Sequence, residues 1–333
     1  MQRFSFERAK TARDAAISAQ SDNCRFIAGG TNLIDYMKLG VERPEALIDI
    51  NSLAQGDPGT IRANPEELRL GALVRMADAE AHPEIRRSYP VIVDALRLAA
   101  SPQIRAMASL GGNVLQRTRC EYLRERSWPC NRRDPGSGCA AFNGINREHA
   151  ILGVSDACIA AYPGDLAQAL IVLDATVETM SRGGGRIIAF ADLHRPPGNS
   201  PEIETILDPG ELITFFSVPA GPHTRRSRFV KIRDRASYQF AQASTAVALD
   251  LDGDIVRDVR IALGGVATVP WRARQSEALL RGRKLDEAAA RDAAECAFAD
   301  AETRDRNGFK LTLGRQTVMR ALLETVTMEI GDG

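Results

Sequence analysis

Four cysteines fall within the 39 residues from Cys120 to Cys158 of a chain that holds only two others, Cys24 and Cys296. Cys130 and Cys139 lie between them, so the spacing is C-x9-C-x8-C-x18-C. Four soft thiolates on one segment are the donor set of a tetrahedral zinc or an iron–sulfur cluster. No C-x2-C pair occurs, which departs from zinc ribbons, zinc fingers and ferredoxins alike, and the spacing leaves the metal open. Arg117, Arg119, Arg124, Arg126, Arg132 and Arg133 stud the same segment. Guanidinium donors around a negatively charged thiolate site would raise its potential, although a solvated basic loop or a partner-binding face has the same composition. Disulfide pairing is the weaker reading, because thiols stay reduced where a chain without a signal folds. Cys24 and Cys296 read as buried small hydrophobes.

The second chemistry-bearing pattern is glycine. Ala28-Gly29-Gly30-Thr31-Asn32-Leu33 stands between an expected strand and an expected helix, and Ser109-Leu110-Gly111-Gly112-Asn113 repeats its composition as a second turn. Paired glycines let backbone approach a ligand closely, and free N–H groups at a helix start favour phosphate. One such turn is an ordinary β–α connection; two could grip both ends of a pyrophosphate, as in an extended dinucleotide. Neither run is a G-x-G-x-x-G or a P-loop. Asp165 reads as a helix cap, or as an acceptor for ribose-type hydroxyls if one lies nearby. The four histidines, His82, His149, His194 and His223, are scattered without ligand spacing. No Ser/His/Asp set or H-E-x-x-H exists, so no catalytic residue is assigned.

These residues need elements to position them. A length of 333 residues predicts two or three domains. Residues 1–52 read as a βαβ-like unit with a helix over 11–19, a strand over 25–28, a helix over 33–39 ended by Gly40, and a strand over 47–50. Residues 53–221 follow, with the cysteine-rich insertion at about 117–160 and strands near 175–180, 186–190 and 211–218, the last stopped by Pro219. Residues 222–333 read as antiparallel strands 228–233, 244–252 and 256–263, then helices 275–282, 286–303 and 312–329. The whole is an α+β fold. The chain is 44% hydrophobic and 26% charged with net charge zero, a soluble globular composition that gives no sign of nucleic-acid binding. No run of 18 apolar residues and no secretion signal is present, which predicts neither membrane insertion nor export by its own signal.

Taken together, the runs 28–33, Ser101-Pro102-Gln103-Ile104-Arg105 into 109–113, Pro163-Gly164-Asp165-Leu166, Pro209-Gly210-Glu211 and Lys231-Ile232-Arg233 resemble the FAD-binding medium subunits of the xanthine dehydrogenase family of molybdenum hydroxylases. The resemblance covers essentially the whole chain. It implies a two-lobed FAD-binding domain (PCMH-type) and a C-terminal domain like that of the CO dehydrogenase flavoprotein. Most members lack the roughly 40-residue insertion. Arg119-Cys120, Pro129-Cys130-Asn131, Gly138-Cys139 and Asp156-Ala157-Cys158 resemble the periplasmic aldehyde oxidoreductase branch, which carries an extra [4Fe–4S] cluster. The 4-hydroxybenzoyl-CoA reductase β subunits space their cysteines differently and stand as the alternative; a zinc-stapled protein without redox chemistry is a third reading.

That resemblance implies FAD held by Ala28, Gly29, Gly30, Thr31, Asn32, Leu33, Ser109, Gly111, Gly112 and Asn113. It also implies Asp165 on FAD hydroxyls, Lys231 near the flavin, and Cys120, Cys130, Cys139 and Cys158 as cluster ligands. Partners would be a small subunit with two [2Fe–2S] clusters and a large subunit with the molybdenum cofactor, in a heterotrimer that passes electrons to an external acceptor. The location would be periplasmic by co-export with a signal-bearing partner, or else cytoplasmic.

Overall fold

The computed structural model describes residues 1–20 and 23–330, arranged on three sheets. The first sheet is parallel, in the order β1 (Ser5–Arg8), β3 (Ala46–Asp49), β2 (Cys24–Ile27). Helices Ala12–Ser18 and Leu33–Leu39 supply the crossovers that parallel strands require. The Thr11 hydroxyl accepts the Asp14 N–H at 3.0 Å to cap the first, and Gly40 at φ 69° ends the second. Strand β1 has no counterpart in the sequence reading. All four of its residues are exposed, so no burial pattern marks them.

The second sheet is antiparallel throughout. Its order is β4 (Ile61–Ala63), β5 (Glu67–Gly71), β8 (Leu212–Pro219), β6 (Thr176–Met180), β7 (Ile187–Ala189). Strand β8 is buried from Leu212 to Phe216, hence its unbroken apolar run, and Pro219 is its last residue rather than a stop before it. Between β5 and β6 the chain leaves the sheet for the helices and the cysteine segment. The expected Gly-rich turn at 109–113 is there the start of a five-residue helix, Leu110–Val114. Its glycines do not favour helix, but Leu110 and Gly111 donate to the carbonyls of Val74 and Ala72 at 3.0 and 2.8 Å.

The third sheet is antiparallel, β12 (Trp271–Arg272), β11 (Ile255–Gly264), β10 (Ala243–Asp252), β9 (Ser227–Ile232), with Gly253 at φ 56° turning β10 into β11. Helices Arg274–Leu280, Glu287–Ala297 and Phe309–Val326 follow. The middle one is shorter than its alanine content suggests. It ends where Phe298 dives into the core, its ring so close to Gly314 that a Cβ there would lie 2.2 Å from Cζ. No helix among the described residues is long and apolar enough to cross a membrane.

The boundary near 221 separates sheets; the third sheet has one core with the last helices and shares another with the middle domain. Leu96, Leu166 and Leu170, from helices Pro90–Leu98 and Leu166–Val172, share one buried cluster with Phe229, Ala246 and Ala262 of the third sheet. Two histidines sit at the margins of this packing. His194 lies against the Val114 carbonyl at 3.1 Å, and the Arg260 guanidinium donates to His223 Nε2. Burial holds both imidazoles neutral, with pKa lowered to about 4.

The unfolded value near 6.5 lies above the folded one, so between pH 6.5 and 4 the unfolded chain carries these protons and the folded chain does not. Stability is intact above pH 6.5 and falls as the pH drops toward 4. His149, lowered likewise to about 4, adds a third such group, so urea titrations across that window should give an unfolding free energy that falls with pH, and His223→Gln should remove about one proton from its slope. A flat profile would contradict the assignment.

Candidate functional site

The two glycine runs meet. Ala28, Gly29, Gly30, Thr31, Asn32 and Leu33 line one cavity of about 180 Å³ together with Ser109, Gly111 and Gly112. Each glycine has its own reason. A Cβ on Gly29 would stand 2.0 Å from the Met107 carbonyl oxygen, so the first loop lies flat against the backbone that leads into Ser109. Gly30 sits at φ +69°, and a Cβ on Gly111 would press on Ala72 at 3.1 Å. A Cβ on Gly112 would touch only the Ser109 hydroxyl, at 3.0 Å. That hydroxyl already accepts the Gly112 N–H at 3.2 Å.

Asn32 and Asn113 keep hydrogen-bonding capacity in reserve. Asn32 Oδ1 accepts the Arg117 N–H at 3.2 Å while its Nδ2 is buried without a protein partner, as is Asn113 Oδ1. Buried polar atoms are rarely left unpaired unless something else meets them. Asn32 lines the cavity and Asn113 does not, so the cavity has the backbone access and one spare amide that a phosphate-bearing ligand needs.

A second cavity, of about 290 Å³, is lined by Thr118, Arg119, Cys120, His149, Tyr162, Gly164, Asp165, Phe240 and Gly265 among others. Asp165 lines it and Lys231 does not. Instead the Lys231 ammonium lies 2.6 Å from Asp165 Oδ2 with both side chains buried, and it also donates to the Leu98 carbonyl at 3.1 Å. Burial pushes the Asp165 carboxyl up and Lys231 opposes that push. The two residues thus form one unit: a carboxylate on the cavity wall and a cation behind it, one from the start of helix Leu166–Val172 and one from β9.

The four cysteines also converge. Cys120, Cys130, Cys139 and Cys158 line a third, small cavity with Arg132 and His149, and all four are free thiols. Cys130 and Cys139 face each other across an isolated antiparallel bridge, where Asn131 donates to the Gly138 carbonyl at 2.7 Å. Cys158 Sγ accepts the Ala160 N–H at 3.4 Å and faces Arg132 Nη2 at 3.8 Å. Burial pushes the Cys120 thiol up to about 12 and raises Cys139 too. Bound cations reverse such shifts by deprotonating the thiol. Among the described residues, no three His, Cys, Asp or Glu side chains close tightly enough to hold a single metal ion. The donor chemistry fits a bound cluster: four thiols, amide N–H groups aimed at sulfur, and a guanidinium nearby.

The arginines divide by task. Arg117 pairs with Glu42 and, at 2.6 Å, with Glu204, which Arg132 also meets at 3.1 Å. Burial alone would raise the Glu204 carboxyl, but the two guanidiniums hold it below its usual range. Arg124 pairs with Asp35 at 2.5 Å, and Arg133 donates to the Tyr122 and Leu123 carbonyls at 2.9 and 2.8 Å. These are braces that bolt the insertion to the first lobe and to itself. Arg132 meets a cysteine sulfur, that of Cys158. Arg119 lies against the Tyr36 and Phe240 rings.

Sequence reasoning missed His149, whose Nε2 is 3.2 Å from Cys120 Sγ. Its position between the third and fourth cysteines was the available signal. Cys24 and Cys296 are half-buried rather than buried.

Comparison with known proteins followed the same lines. Residues 2–221 match the family model for the FAD binding domain in molybdopterin dehydrogenase, and residues 228–325 that for the CO dehydrogenase flavoprotein C-terminal domain. The chain is 46% identical to the aldehyde oxidoreductase FAD-binding subunit PaoB of Escherichia coli K12, over 97% of this chain and 98% of the relative. It is 27% identical to the glyceraldehyde dehydrogenase medium chain of Sulfolobus acidocaldarius, over 87% and 85%. Among solved structures, reconstituted CO dehydrogenase from Oligotropha carboxidovorans superposes with a TM-score of 0.77 at 23% identity over 99% of this chain and 100% of the other, a likeness of fold.

Asp165→Asn should strand the Lys231 ammonium in the core and cost about 3–5 kcal/mol of unfolding free energy. Adding Lys231→Met should restore much of the loss. Denaturant unfolding of the wild type, the two single variants and the double variant checks this; additive losses would show that the pair is not coupled.

Proposed function

The chain belongs to the FAD-binding medium subunits of the molybdenum hydroxylases, and on that basis we propose that it is the flavin- and iron–sulfur-bearing subunit of an aldehyde-oxidising complex. The observation that carries this reading is convergence. Two glycine segments, one after β2 and one opening helix Leu110–Val114, wall one cavity, and four thiols from the adjoining insertion line another. The 46% identity to an aldehyde oxidoreductase subunit favours aldehyde oxidation over CoA-ester reduction.

In this reading residues 28–33 and 109–113 hold the FAD diphosphate and the chain beyond it. Gly30 and Gly112 keep the wall free of side chains, and Asn32 Nδ2 offers the hydrogen bond it otherwise lacks. Asp165 accepts from hydroxyl groups, and Lys231 holds that carboxylate in place. Cys120, Cys130, Cys139 and Cys158 would hold the [4Fe–4S] cluster. Bound FAD would exchange electrons in pairs or singly, and the cluster singly, so this subunit links a two-electron oxidation to an external acceptor.

As a medium subunit it works beside a small subunit and a large one. Two [2Fe–2S] clusters in the first, and a molybdenum cofactor that oxidises aldehyde to carboxylate in the second, complete the proposal. Co-export of the folded heterotrimer with a signal-bearing partner would place it in the periplasm; cell fractionation distinguishes that from a cytoplasmic location.

Two variants of the assembled complex test the reading. Gly112→Val meets only a movable hydroxyl in the protein, so the fold should persist while bound FAD falls at least tenfold; full flavin occupancy would remove the cavity from the FAD site. Cys130→Ser should abolish the iron and acid-labile sulfide attributable to this subunit and leave flavin bound. Unchanged iron would end the ligand assignment.

A further inference from the structure

His149 is the one histidine that touches a cysteine of the quartet among the described residues. Its side chain lines both the thiol cavity and the larger cavity that holds Asp165, and the residue is only 4% exposed. Nε2 lies 3.2 Å from Cys120 Sγ, while Nδ1 is buried without a protein partner.

The ring is presented by the C-terminal domain rather than by the insertion alone. Asn146 Oδ1 accepts the Arg306 N–H at 3.1 Å, and Asn307 donates to the Ala150 carbonyl at 3.2 Å. Ile151 donates to Val266 at 2.8 Å. Three ties therefore fix the stretch 146–151 from outside, and with it the place of the imidazole.

We propose that His149 is a positioning residue for the Cys120 sulfur, which it holds by an Nε2–H···S hydrogen bond and through which it raises the reduction potential of the bound cluster. This rests on the cluster assignment above. A coordinated cysteine sulfur can only accept, so the nitrogen facing it carries the hydrogen. Hydrogen bonds to cluster sulfurs stabilise the more negative, reduced form. Arg132 does the corresponding work at Cys158, at the longer distance of 3.8 Å.

The test is an EPR-monitored redox titration of the whole complex, with iron and flavin content measured on the same samples. His149→Phe should keep its iron and shift the midpoint of this subunit's cluster downward, beyond the scatter of replicates. His149→Gln, whose amide N–H can reach the sulfur, should stay close to wild type. Should the Phe variant lose its iron, retention of iron and of the wild-type midpoint by the Gln variant still supports the donor role; loss of iron in both overturns it. An unmoved midpoint in an iron-replete Phe variant overturns this proposal alone. A wild-type subunit that carries no iron overturns it together with the cluster assignment.

Discussion

The carboxylate of Glu204, held between Arg117 and Arg132, is the contact on which the site's arrangement depends. Glu204 belongs to the loop before β8; Arg117 opens the insertion and reaches Glu42 of the first lobe; Arg132 sits among the thiols. One carboxylate therefore joins the middle domain, the first lobe and the cysteine segment. In such a mostly buried cluster each charge is tolerable only while its partners stay in place. The reward is geometric: Arg117 is fixed, its N–H steers Asn32, and Asn32 stands on the wall of the glycine cavity.

From this contact the three cavities follow as neighbours. Leu115 lines both the glycine cavity and the space around Glu204; Thr118 lines that space, the Asp165 cavity and the thiol cavity. A stretch of four residues, Leu115 to Thr118, thus runs past every part of the candidate site. The Tyr36 hydroxyl donates to the Thr118 carbonyl and holds the end of that stretch to the first lobe. An insertion of this length, rich in Gly, Pro and Arg, stays ordered because its ends and its interior are bolted down, not because it forms much secondary structure of its own.

Much of this was legible in residue types. Glycine announced the first cavity because a loop pressed against the Met107 carbonyl admits no other residue, and cysteine announced the thiols because few residues do their chemistry. Helix Leu33–Leu39 and the hairpin at Gly253 followed from caps and turn residues. What stayed hidden depends on tertiary partners. Gly111 is helical only because Ala72 accepts its N–H, β1 is exposed on every residue, and a string of arginines says nothing of which carboxylates they will find. His149 meets Cys120 where ties from the last domain fix residues 146–151, and its place between the third and fourth cysteines was the only hint of it. Lys231 pairs with Asp165 across the junction of the middle and last domains, a contact that no local pattern encodes.

That shared core has a consequence for how the molecule is loaded. With Leu166 and Leu170 locked against Phe229 and Ala246, the middle and last domains cannot swing apart on a hinge without exposing apolar surface comparable to a domain interior. A bulky cofactor cannot slip in and out of the finished protein through such a motion. The glycine cavity is walled by none of the last domain's residues, so a ligand reaches and leaves it with that core still closed.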